Sequence, residues 1–341
     1  MAKKTKLMTF TQDHDDTFSS KWVNLAEERL GTKVLFSTDD FFAEKENLIK
    51  PGRGIFIEDK FTDHGKWMDG WESRRKRTEG HDYVDLKLGL RGIIKGVDID
   101  TNHFTGNQPL QASLEACCLT EGQKPADDTD WTELLPKISL GPGVQHLSQI
   151  DSKQEWSHVR LHIYPDGGVA RLRIYGEVKT DWKKKDKAQL HDLVSVENGG
   201  RPLICSDMYF SHMDNLNAPG RGVNMGDGWE TKRKRTPGND WIILALGKRG
   251  TIAKVVLDTA HFKGNFPDRF SLEAVNLDEK QHDGLDAPNL NWGTLIPETF
   301  LEADKEHEFE EINKLGPVTH IRLNIFPDGG VSRLRTYGHI E

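Results

Sequence analysis

This chain is written twice, and that restricts its fold more than any other feature. HVRLHIYPDGGVARLRIYG at 158–176 returns as HIRLNIFPDGGVSRLRTYG at 320–338, with fourteen of nineteen positions identical. DGWESRRKRTEG (69–80) returns as DGWETKRKRTPG (227–238), and HFTGN (103–107) as HFKGN (261–265). SLEA recurs at 113–116 and 271–274, and PGRG at 51–54 and 219–222. The offset is 168 at PGRG, 158 in the middle blocks and 162 at the last, so order is kept and only loop lengths change. A period this long means duplicated domains rather than a solenoid. Leu25 aligns with Leu193, which starts the second copy near residue 187. The joint is the charged stretch EVKTDWKKKDKAQ, 177–189. The expected domains are 1–178 and 187–341, with 179–186 as linker.

Within each copy the patterns are mostly those of strands. YVDLKLG (83–89) alternates apolar and polar residues, as a half-buried strand does. IIKGVDID (93–100) and TIAKVVLD (251–258) are rich in β-branched residues and bounded by turn formers. Only WVNLAEERLG (22–31) has helical spacing, with Gly31 as its stop. Many short strands with Gly/Pro turns predict an all-β chain of two tandem β-sandwiches or jelly rolls.

Composition narrows the function classes. Hydrophobic residues make up 35% and charged residues 29%, as in a soluble globular protein. No apolar run reaches the length of a membrane span. MAKKTKLMTF carries lysines but no apolar core, so a secretory signal is not expected. Three cysteines, Cys117, Cys118 and Cys205, form neither a disulfide framework nor a zinc spacing and suit a reducing compartment. A net charge of −8 argues against nucleic acid as partner, although RRKR (74–77) and KRKR (232–235) invite that reading. There is no HExxH, GxSxG or P-loop.

The 158–176 block reads as a hairpin. Val159, Leu161 and Ile163 share one face, and Leu172 and Ile174 match them across a Pro165-Asp166-Gly167-Gly168 loop. Asp166 and Asp328 then serve as turn formers. That register sets Arg160 against Arg173 and His162 against Arg171, with Arg322, Arg335 and Arg333 repeating the arrangement in copy two. Facing arginines repel by ~0.2–1 kcal/mol, so an anion is expected between them. It is either a neighbouring carboxylate or a substrate carboxylate or phosphate. Glu72 and Glu230 either pair with the basic blocks or act as acid/base groups. His103 and His261 stand at strand ends, where sites gather; each is either a structural hydrogen-bonding residue or a site residue, and their repetition within HFxGN draws attention to them. Glu115 and Glu273 lie in apolar strands and need a partner, the arginine block being the obvious one.

Taken together, GRG, DGWE(S/T)xRKR, HFxGN, SLEA and HxRLxIxPDGGVxRLRxYG, each present twice, resemble the allantoicase family over roughly residues 20–340. The resemblance implies two galactose-binding-like jelly rolls and a C–N hydrolase acting on linear amidines. Its reaction converts allantoate and water to ureidoglycolate and urea in allantoin, and hence purine, degradation. On that reading an arginine pair drawn from Arg160, Arg171, Arg173, Arg322, Arg333 and Arg335 holds the substrate carboxylate. Asn107 and Asn265 meet the ureido groups. Glu72, His103, Glu115, Glu230, His261 and Glu273 supply the acid/base work. No cofactor is certain; a divalent metal could activate water, though no ligand cluster marks one. The expected partner is a small molecule, with no nucleic acid and no membrane, and the expected state is a cytoplasmic homo-oligomer. The competing reading is a non-catalytic tandem module that binds carbohydrate or another anion.

Overall fold

The structure is a computed structural model that describes residues 7–10, 16–19, 21–278, 281, 283–287 and 290–341. The lysines that open the chain lie outside these. The chain divides into two units, Met1–Lys179 and Thr180–Glu341. Trp182, in the charged joint, packs against the second unit's core.

The first unit is organised by one strand of 19 residues, Asp82–Asp100. Drawn straight it would span about 60 Å at ~3.3 Å per residue, too long for one layer of a small sandwich. It bends and serves both layers. Its first half pairs with Trp156–Tyr164 and Lys33–Ser37, and its second half with Arg171–Val178 and Gln145–Gln149. Glycines make the corner possible: a Cβ on Gly89 would lie 2.5 Å from the Leu30 carbonyl oxygen, and one on Gly92 equally close to that of Glu177. The second unit repeats the plan on Asp240–Asp258, also 19 residues. Its halves pair with Val318–Phe326 and Arg201–Cys205, then with Arg333–Ile340 and Glu306–Phe309. All these pairings are antiparallel.

The predicted alternation fills the cores. Val84, Leu86, Val159, Leu161 and Ile163 from one layer meet Val97, Ile99, Leu172 and Ile174 from the other, all fully buried. Ile242, Leu244, Ile321 and Leu323 meet Val255, Leu257 and Leu334 in the second unit. This is the expected tandem β-sandwich.

Two local expectations are corrected. The 158–176 block is not a hairpin. Its strands occupy different layers, and Gly168–Val169 between them pairs with Trp71–Glu72. Arg160 stands opposite Asp85, and Arg173 opposite Asp98, on the two halves of the long strand. With their neighbours turned into a shared core, the two arginines point outward from opposite layers. The Arg160–Arg173, His162–Arg171 and Arg322–Arg335 pairings therefore do not form. The periodicity was sound, but the partner of each strand is the long strand, which offers arginine an aspartate. The helix expected at 22–31 is also absent. Val23–Asn24 is a short strand, Glu28–Leu30 a single 3-10 turn, and Gly31 ends it in the left-handed region. Leu25 and Ala26 are pulled into the core, where the Leu25 N–H donates to the Ile174 carbonyl, and that contact overrides helical propensity.

Candidate active site

The doubled motifs meet at the loop end of each sandwich. In the first unit the indole of fully buried Trp71 donates to the Asp39 carbonyl at 2.8 Å. Beside it, fully buried Phe104 fills the space a side chain on Gly168 would need; a Cβ there would lie 2.0 Å from the ring. The Gly168 N–H donates to the Asn107 carbonyl. DGWE, HFTGN and PDGG are thus locked into one surface. Phe262, Gly330 and Asn265 do the same in the second unit.

Glu72 emerges from this frame, held by its backbone between Ala43 and Gly168. Its carboxylate accepts a hydrogen bond from Asn107 Nδ2 at 2.7 Å. No Lys or Arg pairs with it among the described residues. Burial raises its carboxyl above the usual range, and the Asn107 hydrogen bond only partly offsets that. Glu230 repeats the geometry, accepting from Asn265 Nδ2 at 2.5 Å.

Two cations of each neighbouring block are committed elsewhere. Arg74 pairs with Asp39 at 2.6 Å. Lys76 pairs with buried Asp82, and its N–H donates to Asp166. Lys232, Lys234, Asp207, Asp240 and Asp328 repeat this network. Arg74, Lys76, Lys232 and Lys234 are therefore staples of the loop end. The two turn aspartates act across the fold, each receiving a backbone N–H from a basic block.

The other expected site residues fall in two further places. Arg171 is buried, gripping Asp69 at 2.7 Å together with backbone carbonyls, and Arg333 grips Asp227 at 2.8 Å. Arg173 donates to the Lys50 and Gly52 carbonyls, and Arg335 to those of Ala218 and Gly220. These four clamp the PGRG segments. Arg160, Glu115, Arg322 and Glu273 lie on the outer face of the opposite layer. There Asp85 takes two hydrogen bonds from Arg160, at 2.6 and 2.8 Å. The partner of Glu115 is His162, at 3.0 Å, and His162 in turn lies 2.8 Å from His81. His103 is exposed, four positions before Asn107 in the chain, with φ of 66°, and its ring lies against Phe56 with centroids 5.7 Å apart. His261 has φ of 72°, and its Nε2 lies 2.8 Å from the Gly222 carbonyl oxygen, to which it donates. Among the described residues no group of three or more His, Cys, Asp or Glu is placed to hold a metal ion.

Sequence reasoning passed over Asp85, His81 and His162 as partners, because strand pairing alone brings them to Arg160 and Glu115. It also passed over a flap. The fall in offset from 168 to 158 marks ten extra residues in the first copy, between PGRG and DGWE. They form a small hairpin of Phe61–Thr62 and Gly65–Lys66. His64 stacks there on Phe41 with ring centroids 4.1 Å apart, and Phe56 and Phe61 stay exposed.

Comparison with known proteins gives a concordant result. The family described as Allantoicase repeat matches twice, at residues 23–179 and 191–341. A curated "Probable allantoicase" of Pseudomonas savastanoi pv. phaseolicola is 54% identical over 322 residues, 94% of this chain and 97% of that one. One from Photobacterium profundum is 54% identical over 319 residues, covering 93% and 96%. The crystal structure of allantoicase from Saccharomyces cerevisiae superposes with a TM-score of 0.83 at 36% identity, over 98% of this chain and all of that one.

Proposed function

The chain belongs to the allantoicase family, and from that premise we propose that the loop-end glutamates carry the acid/base work of its reaction. The enzyme hydrolyses allantoate to ureidoglycolate and urea. Allantoate carries a carboxylate and two ureido groups on one carbon. Releasing urea breaks one carbon–nitrogen bond, puts a proton on the departing nitrogen and brings an oxygen from water to the carbon. A carboxyl suited to give that proton must hold it near neutral pH. Burial without a cation favours this state at Glu72. Asn107 fixes the orientation of the carboxyl, and exposed His103 in the same loop receives the proton of the attacking water. Glu230, Asn265 and His261 form the second such set. The observation that carries this assignment is a half-buried carboxylate, present twice, whose side-chain partner is an amide rather than a cation.

We place the reaction in allantoin degradation, carried out by a cytoplasmic homo-oligomer on a small-molecule substrate without nucleic acid. The net charge of −8 supports the last point. No helix among the described residues is long and apolar enough to cross a membrane. The test is urea release from allantoate by the purified chain and by the Glu72→Gln/Glu230→Gln double variant. The double variant is expected to lose about 10²–10⁴-fold in kcat with a melting temperature close to that of the parent. Full urea release by that variant would remove the glutamates from the chemistry. No urea from the parent would overturn the activity itself.

A further inference from the structure

Arg160 and Arg322 occupy the same position in the two repeats, and only one of them has its anion. In the first repeat Asp85, directly opposite, receives hydrogen bonds from Nε and Nη2 of Arg160. The guanidinium is sandwiched by Tyr83 and Trp131, at 4.3 and 4.5 Å from the ring centroids. In the second repeat the residue opposite Arg322 is Ile243, which is fully buried. The Arg322 guanidinium lies over Trp241, 4.9 Å from the ring centroid. Its Nε is buried and has no hydrogen-bond partner, and the nearest carboxylate, Glu273, stands at 4.0 Å. Among the described residues the Arg322 guanidinium donates no hydrogen bond. Yet its side chain is 27% exposed, so the site is open to solution.

A guanidinium left this way is unsatisfied, and the first repeat shows what completes it: a planar carboxylate gripped at two points. Ile243 fills its own position with hydrocarbon, and Glu273 occupies the Nε side. The anion must therefore come from solution onto the Nη edge. The polar groups around the guanidinium define the rest of the ligand. Asn324 directs its amide N–H groups to Glu273 and Ser271, which leaves its carbonyl oxygen free as an acceptor. The second oxygen of Glu273 is also free. One cation with two acceptors next to it suits a carboxylate that carries N–H donors close by.

We propose that the outer sheet face of the second repeat, at Arg322, Glu273 and Asn324, is a binding site for a small ureido acid, separate from the loop-end glutamates. That substrate and product belong to this class rests on the function proposed above; the binding claim does not.

The experiment is calorimetric titration of the full chain with ureidoacetate, which has one carboxylate and one ureido group and no second ureido group to lose. Acetate is the comparison ligand. The parent is expected to bind ureidoacetate, and acetate more weakly. Arg322→Gln should weaken ureidoacetate by about 10- to 100-fold, the loss of charge-assisted hydrogen bonds. Ile243→Asp should do the same by supplying the first repeat's internal anion. Arg322→Gln alters a half-exposed side chain and keeps the question answerable if Ile243→Asp does not fold. The Glu72→Gln/Glu230→Gln double variant should bind as the parent does, whatever its urea release. Binding unchanged in Arg322→Gln, or lost in the loop-end double variant, would place the ligand at the loop ends and overturn the proposal. So would absence of binding to the parent at millimolar ureidoacetate.

Discussion

At the loop ends, Glu72–Asn107 and Glu230–Asn265 are near copies, as are Arg171–Asp69 and Arg333–Asp227. On the sheet faces the two repeats diverge. Asp85, Asp98 and His162 of the first become Ile243, Val256 and Asn324 of the second. Both kinds of position carry charge in at least one copy, so charge alone does not separate them. Position in the frame does. The loop-end residues hold three motifs in register, and a change in one leaves a buried group unmatched. A sheet-face residue faces one strand neighbour and can change with it.

The comparison is broken most forcefully at the glutamates. If each repeat holds a working site, Glu72→Gln and Glu230→Gln each leave roughly half the urea release, and only their combination gives the ~10²–10⁴-fold loss. If one single variant alone gives the full loss, the loop ends are alike in geometry but not in chemistry. The next largest effect is on stability. Asp69→Ala strands the buried Arg171 guanidinium and should cost about 3–5 kcal/mol. Asp227→Ala should cost less, because the Asp227 side chain is 19% exposed against 7% for Asp69. Chemical denaturation of both variants checks the order.

The sequence carried the duplication, the strands and their core faces, because period and alternation are local and each was written twice. It also carried Glu72 and Asn107, two candidate residues from short motifs that the fold brings into contact. Partner identity was not legible. Arg160 and Arg173 are thirteen positions apart, and nothing local says that they pack on different halves of one 19-residue strand. The bend at Gly89 and Gly92 decides this, and its signature is two glycines in a strand pattern. The flap was signalled only by a change of offset.

Asp98 sharpens the sheet-face contrast through pH. Burial, followed by the charge of Asp100, raises its carboxyl to about 7. The unfolded chain releases that proton near ~3.9, so between about pH 4 and 7 the folded state binds more protons. Its contribution to stability is present at the acid end and lost as pH rises. Asp98→Val installs the residue the second repeat already has. It should stabilise the first unit by about 1–3 kcal/mol at pH 8 and bring no gain at pH 4, where Asp98 is neutral and accepts from Gln145. Melting curves at the two pH values decide it; a gain of equal size at both would mean that packing, not charge, separates Asp98 from Val256.

The smallest expected effects come from the basic blocks, and they test whether those runs are staples. Arg74 is 62% exposed and Lys232 65% exposed at the side chain, so each ion pair with Asp39 or Asp207 is screened and contributes ~0–1 kcal/mol. The aspartates do more. Asp39 Oδ1 accepts the backbone N–H groups of Phe41 and Arg74, and Asp207 Oδ1 those of Tyr209 and Lys232. Burial alone would raise both carboxyls, but these N–H groups and the facing side chains hold them below the usual range. Their contribution is therefore present above the unfolded pKa and lost as pH falls through the folded one. Arg74→Ala and Lys232→Ala should each change stability at pH 7 by less than about 1 kcal/mol. Asp39→Ala and Asp207→Ala should cost more, about 1–3 kcal/mol, with the difference from the parent shrinking below pH 4. A larger loss from the arginine or the lysine than from its aspartate would mean that the cation, and not the backbone it tethers, holds DGWE in place.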